Sequence, residues 1–170
     1  MGIFRKKQQP FDSVGHAQVL MSHFVEKPDD YYLRPFVVAI PSEMKFWYHS
    51  KTHLYRLAVV LTALLAKEQE HPIILEIRKS FEKLVFNLPQ EDGMAFFEKV
   101  MEAGRSFNDL LIYLRDQNHG MIVSWARSWL QDVGVNEENI IVSSAFAKSW
   151  TGSYIVVLET IRDITGKFRG

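Results

Sequence analysis

The sequence predicts an all-α fold, a single-domain helical bundle of about six or seven helices around one long central helix. Three observations carry that expectation. Apolar residues recur at helical spacing in one segment after another, with charged residues on the opposite faces. The breaks between segments are short turns of Pro, Gly, Asn and Asp, with no long linker to divide domains. The stretch around Leu57 to Leu65 is apolar on nearly every side, as a helix enclosed by others must be.

The chain opens Met1-Gly2-Ile3-Phe4-Arg5-Lys6-Lys7, which is basic but has no apolar segment behind it to make a secretory signal. Residues 1–11 read as a flexible basic tail to a single domain spanning 1–170. Gly2 stands where an acyl chain would attach, but Lys6 occupies the place where that motif needs Ser or Thr. Asp12 or Ser13 caps a first helix with the stripe Val14, Ala17, Met21, Phe24 and Val25, which Pro28-Asp29-Asp30 ends. Tyr31 to Ile40 is ambiguous: Pro35 disfavours helix at Arg34, and Phe36 to Ile40 fits a strand or a buried helix equally.

Pro41 opens the central helix over 42–70, with Leu54, Leu57, Ala58, Leu61, Leu64 and Leu65 as its stripe. Pro72 starts a clean amphipath over 72–88. Ile73, Ile77, Phe81, Leu84, Val85 and Leu88 share one face, and Arg78, Lys79, Glu82 and Lys83 the other. Asp92 begins a helix over 92–117 with Phe97, Val100, Met101, Phe107, Leu111 and Leu114 in register. Gly104 falls on that stripe, where a missing side chain lets a neighbouring helix approach. The short links at 70–72 and 89–91 make antiparallel neighbours of the helices they join. Asn118-His119-Gly120 breaks the pattern, and Ile122, Trp125, Ala126, Trp129 and Val133 mark a shorter helix that Gly134 stops.

The last segment reads two ways. Asn136 followed by Glu137 and Glu138 is a good helix start. Yet Ile140-Ile141-Val142 and Tyr154-Ile155-Val156-Val157-Leu158 flank Thr151-Gly152-Ser153 as the strands of a hairpin flank its turn. Two helices broken at Gly152 are the expectation. An α+β fold with a small C-terminal hairpin is the alternative.

An apolar fraction of 47% and a charged fraction of 24% belong to a folded, soluble chain. Lys+Arg and Asp+Glu both number 20, so no basic excess points to nucleic acid. The absence of cysteine excludes disulfides, thiolate nucleophiles and cysteine-based metal sites, and fits a cytoplasmic location. Leu57 to Ala66, taken as the most apolar run, is far short of the ~20 residues a bilayer span requires, so no membrane span is expected.

No catalytic constellation is apparent, and the chain reads as non-enzymatic. No serine sits in a glycine-flanked elbow, and the glycines follow neither Rossmann nor Walker spacing, so no cofactor is expected. Glu68-Gln69-Glu70-His71 matches half of a di-iron motif, but Pro72 places it at a helix end.

Two features remain. Phe46, Trp47 and Tyr48 are adjacent, and successive helical positions point about 100° apart, so at least one aromatic must leave the core. Exposed Trp and Tyr favour binding surfaces, and this makes the trio the candidate contact for a protein partner or for self-association. Tyr31, Tyr32, Trp125, Trp129 and Trp150 enlarge the aromatic supply. His49 and His53 stand one turn apart and can share a metal ion if His16, His23, Asp29 or Asp30 completes the shell. The functional expectation is therefore a protein-interaction or assembly module, with a ligand- or metal-binding helical domain as the alternative.

Overall fold

The computed structural model describes residues 11–26, 40–88 and 92–167. Among them every regular element is helical, and six α-helices pack into one bundle.

Helix α1 (Ser13–Met21) begins at Asp12, whose carboxylate accepts from the Gly15 N–H at 2.8 Å, and it runs on into a π-helical turn, Ser22–Glu26. Ala17, Leu20, Met21 and Val25 face the core, while Val14 is 52% exposed and faces away from it. The central helix α2 (Lys45–Lys67) grows from a 3-10 turn, Ser42–Met44, and packs most extensively against α3 (Pro72–Phe86), α4 (Gly93–Arg115) and α6 (Ile140–Gly166). Its Leu57, Ala58, Val59, Val60, Leu61, Ala63 and Leu64 are all buried, which accounts for the run without a polar face.

His71 caps α3, its ring Nδ1 accepting from the Ile73 N–H at 3.2 Å, with Pro72 in the first turn where its missing N–H is not needed. Glu68 pairs with Arg78 at 2.6 Å, so the Glu68–His71 motif is a polar helix junction. Asp92 caps α4 through the Met94 and Ala95 N–H groups, and Asn118 caps α5 (His119–Gln131) through that of Met121. Gly134 ends α5 as its position predicts. It adopts φ +79°, and the Val135 N–H reaches back to the Leu130 carbonyl at 3.0 Å.

The C-terminal segment differs from both readings of the sequence. There is no hairpin and no break: α6 runs for 27 residues straight through Gly152, and it starts at Asn139 rather than Asn136. The Asn139 side chain accepts from the Ile141 and Val142 N–H groups at 2.9 and 3.3 Å. One glycine within a helix costs about 1 kcal/mol. Against that, Phe146, Ala147, Trp150, Val157 and Ile161 lie on one helical face and are buried together. Among the described residues this helix, and not 57–66, is the one long and apolar enough by length and composition to span a bilayer, with a mean hydropathy of 1.2 over its most apolar stretch. Ser143, Ser144, Lys148 and Ser149 divide it into short runs, which hides that average from a reading by runs. Of the ambiguous 31–40 segment only Ile40 lies within the described residues, and it is buried. Pro28-Asp29-Asp30, the basic segment 1–10 and the 89–91 link lie outside them.

Candidate functional site

The N-terminal turns of α2 separate the three adjacent aromatics. Phe46 and Trp47 are 70% and 61% exposed, and their rings meet edge to face with centroids 5.4 Å apart. Tyr48, one position on, is turned inward and 1% exposed, edge-on to Trp129 at 5.7 Å and to His49 at 5.8 Å. Two of the trio are therefore surface groups, and the third fixes the helix to the core.

His49 is exposed and His53 is half-buried. Burial holds the His53 imidazole below its ordinary pKa, the nearby Arg56 guanidinium adds to this, and Glu26 opposes it. Among the described residues no three His, Asp or Glu side chains are placed to hold a metal. Two of the sequence's candidates for a third ligand, Asp29 and Asp30, lie outside those residues.

One turn beyond Trp47 the same face of α2 carries Lys51, and one turn further Tyr55. These residues form one wall of a cleft of about 230 Å³ that α4 and α5 complete with Ser106, Tyr113, Trp125 and Asp132, among others. The Lys51 Nζ donates to Asp132 Oδ2 at 2.5 Å and to the Trp129 carbonyl at 3.2 Å, and it lies 4.8 Å from the Trp129 ring centroid. Burial lowers the Lys51 pKa, and Asp132 partly restores it. Tyr55 Oη donates to Ser106 Oγ at 2.9 Å. Trp125 Nε1 donates to the Ser106 carbonyl at 2.9 Å and to its Oγ at 3.0 Å. Burial raises the Tyr55 pKa, and the bond to Ser106 works against that shift.

Behind the cleft the aromatic rings form a continuous cluster of edge-on and tilted contacts. Trp129 touches Tyr55, Phe146 and Trp150 at centroid distances of 5.5, 5.0 and 5.9 Å. The cleft is thus a polar pocket on a buried aromatic base. Sequence reasoning identified the tryptophans but not Lys51, Tyr55, Ser106 or Asp132. The available signal was the repeated four-residue step in Trp47, Lys51, Tyr55 and again in Trp125, Trp129.

No protein-family model, curated protein or solved structure matches this chain.

Proposed function

We propose that this protein is a non-enzymatic interaction module that meets a protein partner, or a second copy of itself, through Phe46 and Trp47. The observation that carries the reading is the exposure of these two adjacent rings, 70% and 61%, on a helix whose next residue is locked into the core. Covering one such side chain is worth roughly 1.5–3 kcal/mol, and a rigid helix loses little entropy in presenting it. A formal net charge of zero adds no long-range repulsion against a second copy.

Light scattering across a concentration series tests this directly. The wild-type mass should rise above 19.8 kDa, and a Phe46→Ala, Trp47→Ala variant should stay at the monomer value with nearly unchanged thermal stability. A heterologous partner, once in hand, should lose its affinity for the same variant. If Trp47→Ala alone costs the ~3–5 kcal/mol of a core deletion, the residue is structural and the reading fails.

A second reading, a ligand-binding helical domain, is favoured by the cleft at Lys51, Tyr55 and Ser106. Metal binding by His49 and His53 has weaker support, because the described residues supply no third ligand.

A further inference from the structure

The polar atoms at the back of the Lys51 cleft satisfy one another and leave a definite remainder. Tyr55 Oη and Ser106 Oγ are 2.9 Å apart, and Ser106 Oγ also accepts from Trp125 Nε1. Two hydroxyls joined by one hydrogen bond hold two hydrogens and use one, so one O–H is left to donate beside lone pairs left to accept. This holds whichever of the two is the donor. The Lys51 ammonium uses two of its three N–H bonds, on Asp132 and on the Trp129 carbonyl, and one remains. Among the described residues that line the cleft, Lys51 and Asp132 are the two formally charged ones, and their charges cancel. Its remaining lining is half aromatic, with Tyr113 and Trp125 partly exposed and Tyr55 and Trp129 buried behind them, and serines and Met121 make up the rest. At about 230 Å³ it lies below the ~300–1,000 Å³ of sites for drug-sized ligands, and has room for one ring or two fused rings.

From this juxtaposition we propose that the cleft binds a small, neutral, planar molecule with an amide edge, of the benzamide, nicotinamide or lactam type. Its carbonyl takes the spare O–H of the Tyr55–Ser106 pair and the spare N–H of Lys51. Its own N–H is given to a hydroxyl lone pair, and its ring lies against the half-buried Trp125. Hydrogen-bond complementarity sets the selectivity. Lys51 is already paired with Asp132, so a carboxylate gains no net counter-charge and offers no N–H to the hydroxyl lone pair, whereas an ammonium offers no acceptor to the spare O–H and N–H. The proposal rests on the ligand-binding reading above and is independent of Phe46 and Trp47.

Calorimetric titration of the full chain with benzamide, benzoate and benzylamine tests the class. Benzamide should bind saturably and at least tenfold more tightly than either charged analogue. Ser106→Ala should weaken it about tenfold, the effect of one neutral hydrogen bond. In that variant Trp125 keeps its bond to the residue 106 carbonyl. Ser128→Trp, at an exposed position on the cleft lip, should abolish binding without touching the core. If benzoate or benzylamine binds as tightly as benzamide, the amide class is overturned and the ligand-binding reading stands. If none of the three binds, both fall. Benzamide binding unaltered by Ser106→Ala and Ser128→Trp would place the ligand elsewhere and overturn the assignment of this cleft.

Discussion

Lys51 and Asp132 form an unequal ion pair: at 2.5 Å the lysine side chain is 17% exposed and the aspartate 64%. The ammonium has lost most of its water and depends on Asp132 and the Trp129 carbonyl to replace it. The carboxylate remains largely hydrated and depends on Lys51 far less.

The two halves of the pair should therefore respond differently to removal. Asp132→Ala leaves a desolvated ammonium without its counter-charge and should cost about 1–2 kcal/mol, while lowering the Lys51 pKa further. Lys51→Met keeps the packed stem, removes the desolvated charge and leaves Asp132 to water, so it should cost less than about 1 kcal/mol. Urea denaturation of both single variants and the double variant measures the order and the coupling. A larger loss in Lys51→Met would mean that the ammonium's bond to the Trp129 carbonyl outweighs its desolvation.

Gly134, a helix stop, and Gly104, inside a helix, should answer oppositely to alanine. At Gly134 a Cβ would lie 2.7 Å from Met44 Sδ, on a backbone at φ +79°. Gly134→Ala should cost about 1–3 kcal/mol, and trimming Met44 as well should recover only the contact part of that loss. At Gly104 the nearest atom to an added Cβ is Thr62 Oγ1, at an ordinary 3.6 Å, and the position is mid-helix. Gly104→Ala should stabilise by about 0.5–1 kcal/mol through helix propensity alone. Thermal melts of the two variants decide both signs.

His53 should make the fold acid-sensitive. Its folded pKa is lowered, first by burial, then by Arg56, with Glu26 opposing. Below the ordinary value of about 6.5 the unfolded chain binds the proton more readily than the folded one, so stability falls as pH falls. The contribution is fully present above that value and is lost on acidification towards and through the lower folded pKa. The difference in urea midpoint between about pH 7.5 and about pH 5.5 should shrink in His53→Gln and widen in Glu26→Gln. An unchanged difference in His53→Gln would assign the sensitivity to other groups.

Helix positions were legible in the sequence wherever local chemistry decides them. Asp12, Pro72, Asp92, Asn118 and Gly134 each mark a helix end through a bond made within a few residues, or through a ring whose missing N–H needs no partner. Which face turns inward was less legible. On α4 the buried set is Val100, Ala103, Phe107 and Leu110, while Met101 is 37% exposed. The large apolar residues drew the stripe away from the small Ala103, whose burial depends on packing between helices. The continuity of α6 through Gly152 was hidden in the same way. Local β-branched runs suggest strands, and only the long spacing from Phe146 through Trp150 and Val157 to Ile161 reveals one face. The Lys51 cleft was the least legible, because Lys51, Ser106 and Asp132 meet across gaps of tens of residues and form no motif. Phe46 and Trp47 were identified because three adjacent aromatics on one helix pose a geometric conflict in the sequence itself.

Thr52 is 1% exposed, two turns into the central helix. Its Oγ1 has no hydrogen-bond partner among the described residues, although hydroxyls on α6 such as Ser149, Thr160 and Thr165 bond back to their own helix. A buried hydroxyl without a partner gives up its bonds to water and receives nothing in return, a cost of about 1–3 kcal/mol. Valine has nearly the same shape and the same branching at Cβ, so Thr52→Val removes the polar atom without opening a cavity. The variant should therefore gain about 1 kcal/mol, seen as a higher urea midpoint at an unchanged slope. Thr52→Ser separates the two contributions. It keeps the hydroxyl, deletes a methyl and should lose about 1 kcal/mol. A loss of stability in Thr52→Val would mean that the hydroxyl is bonded in solution, and would make position 52 a polar anchor for whatever satisfies it.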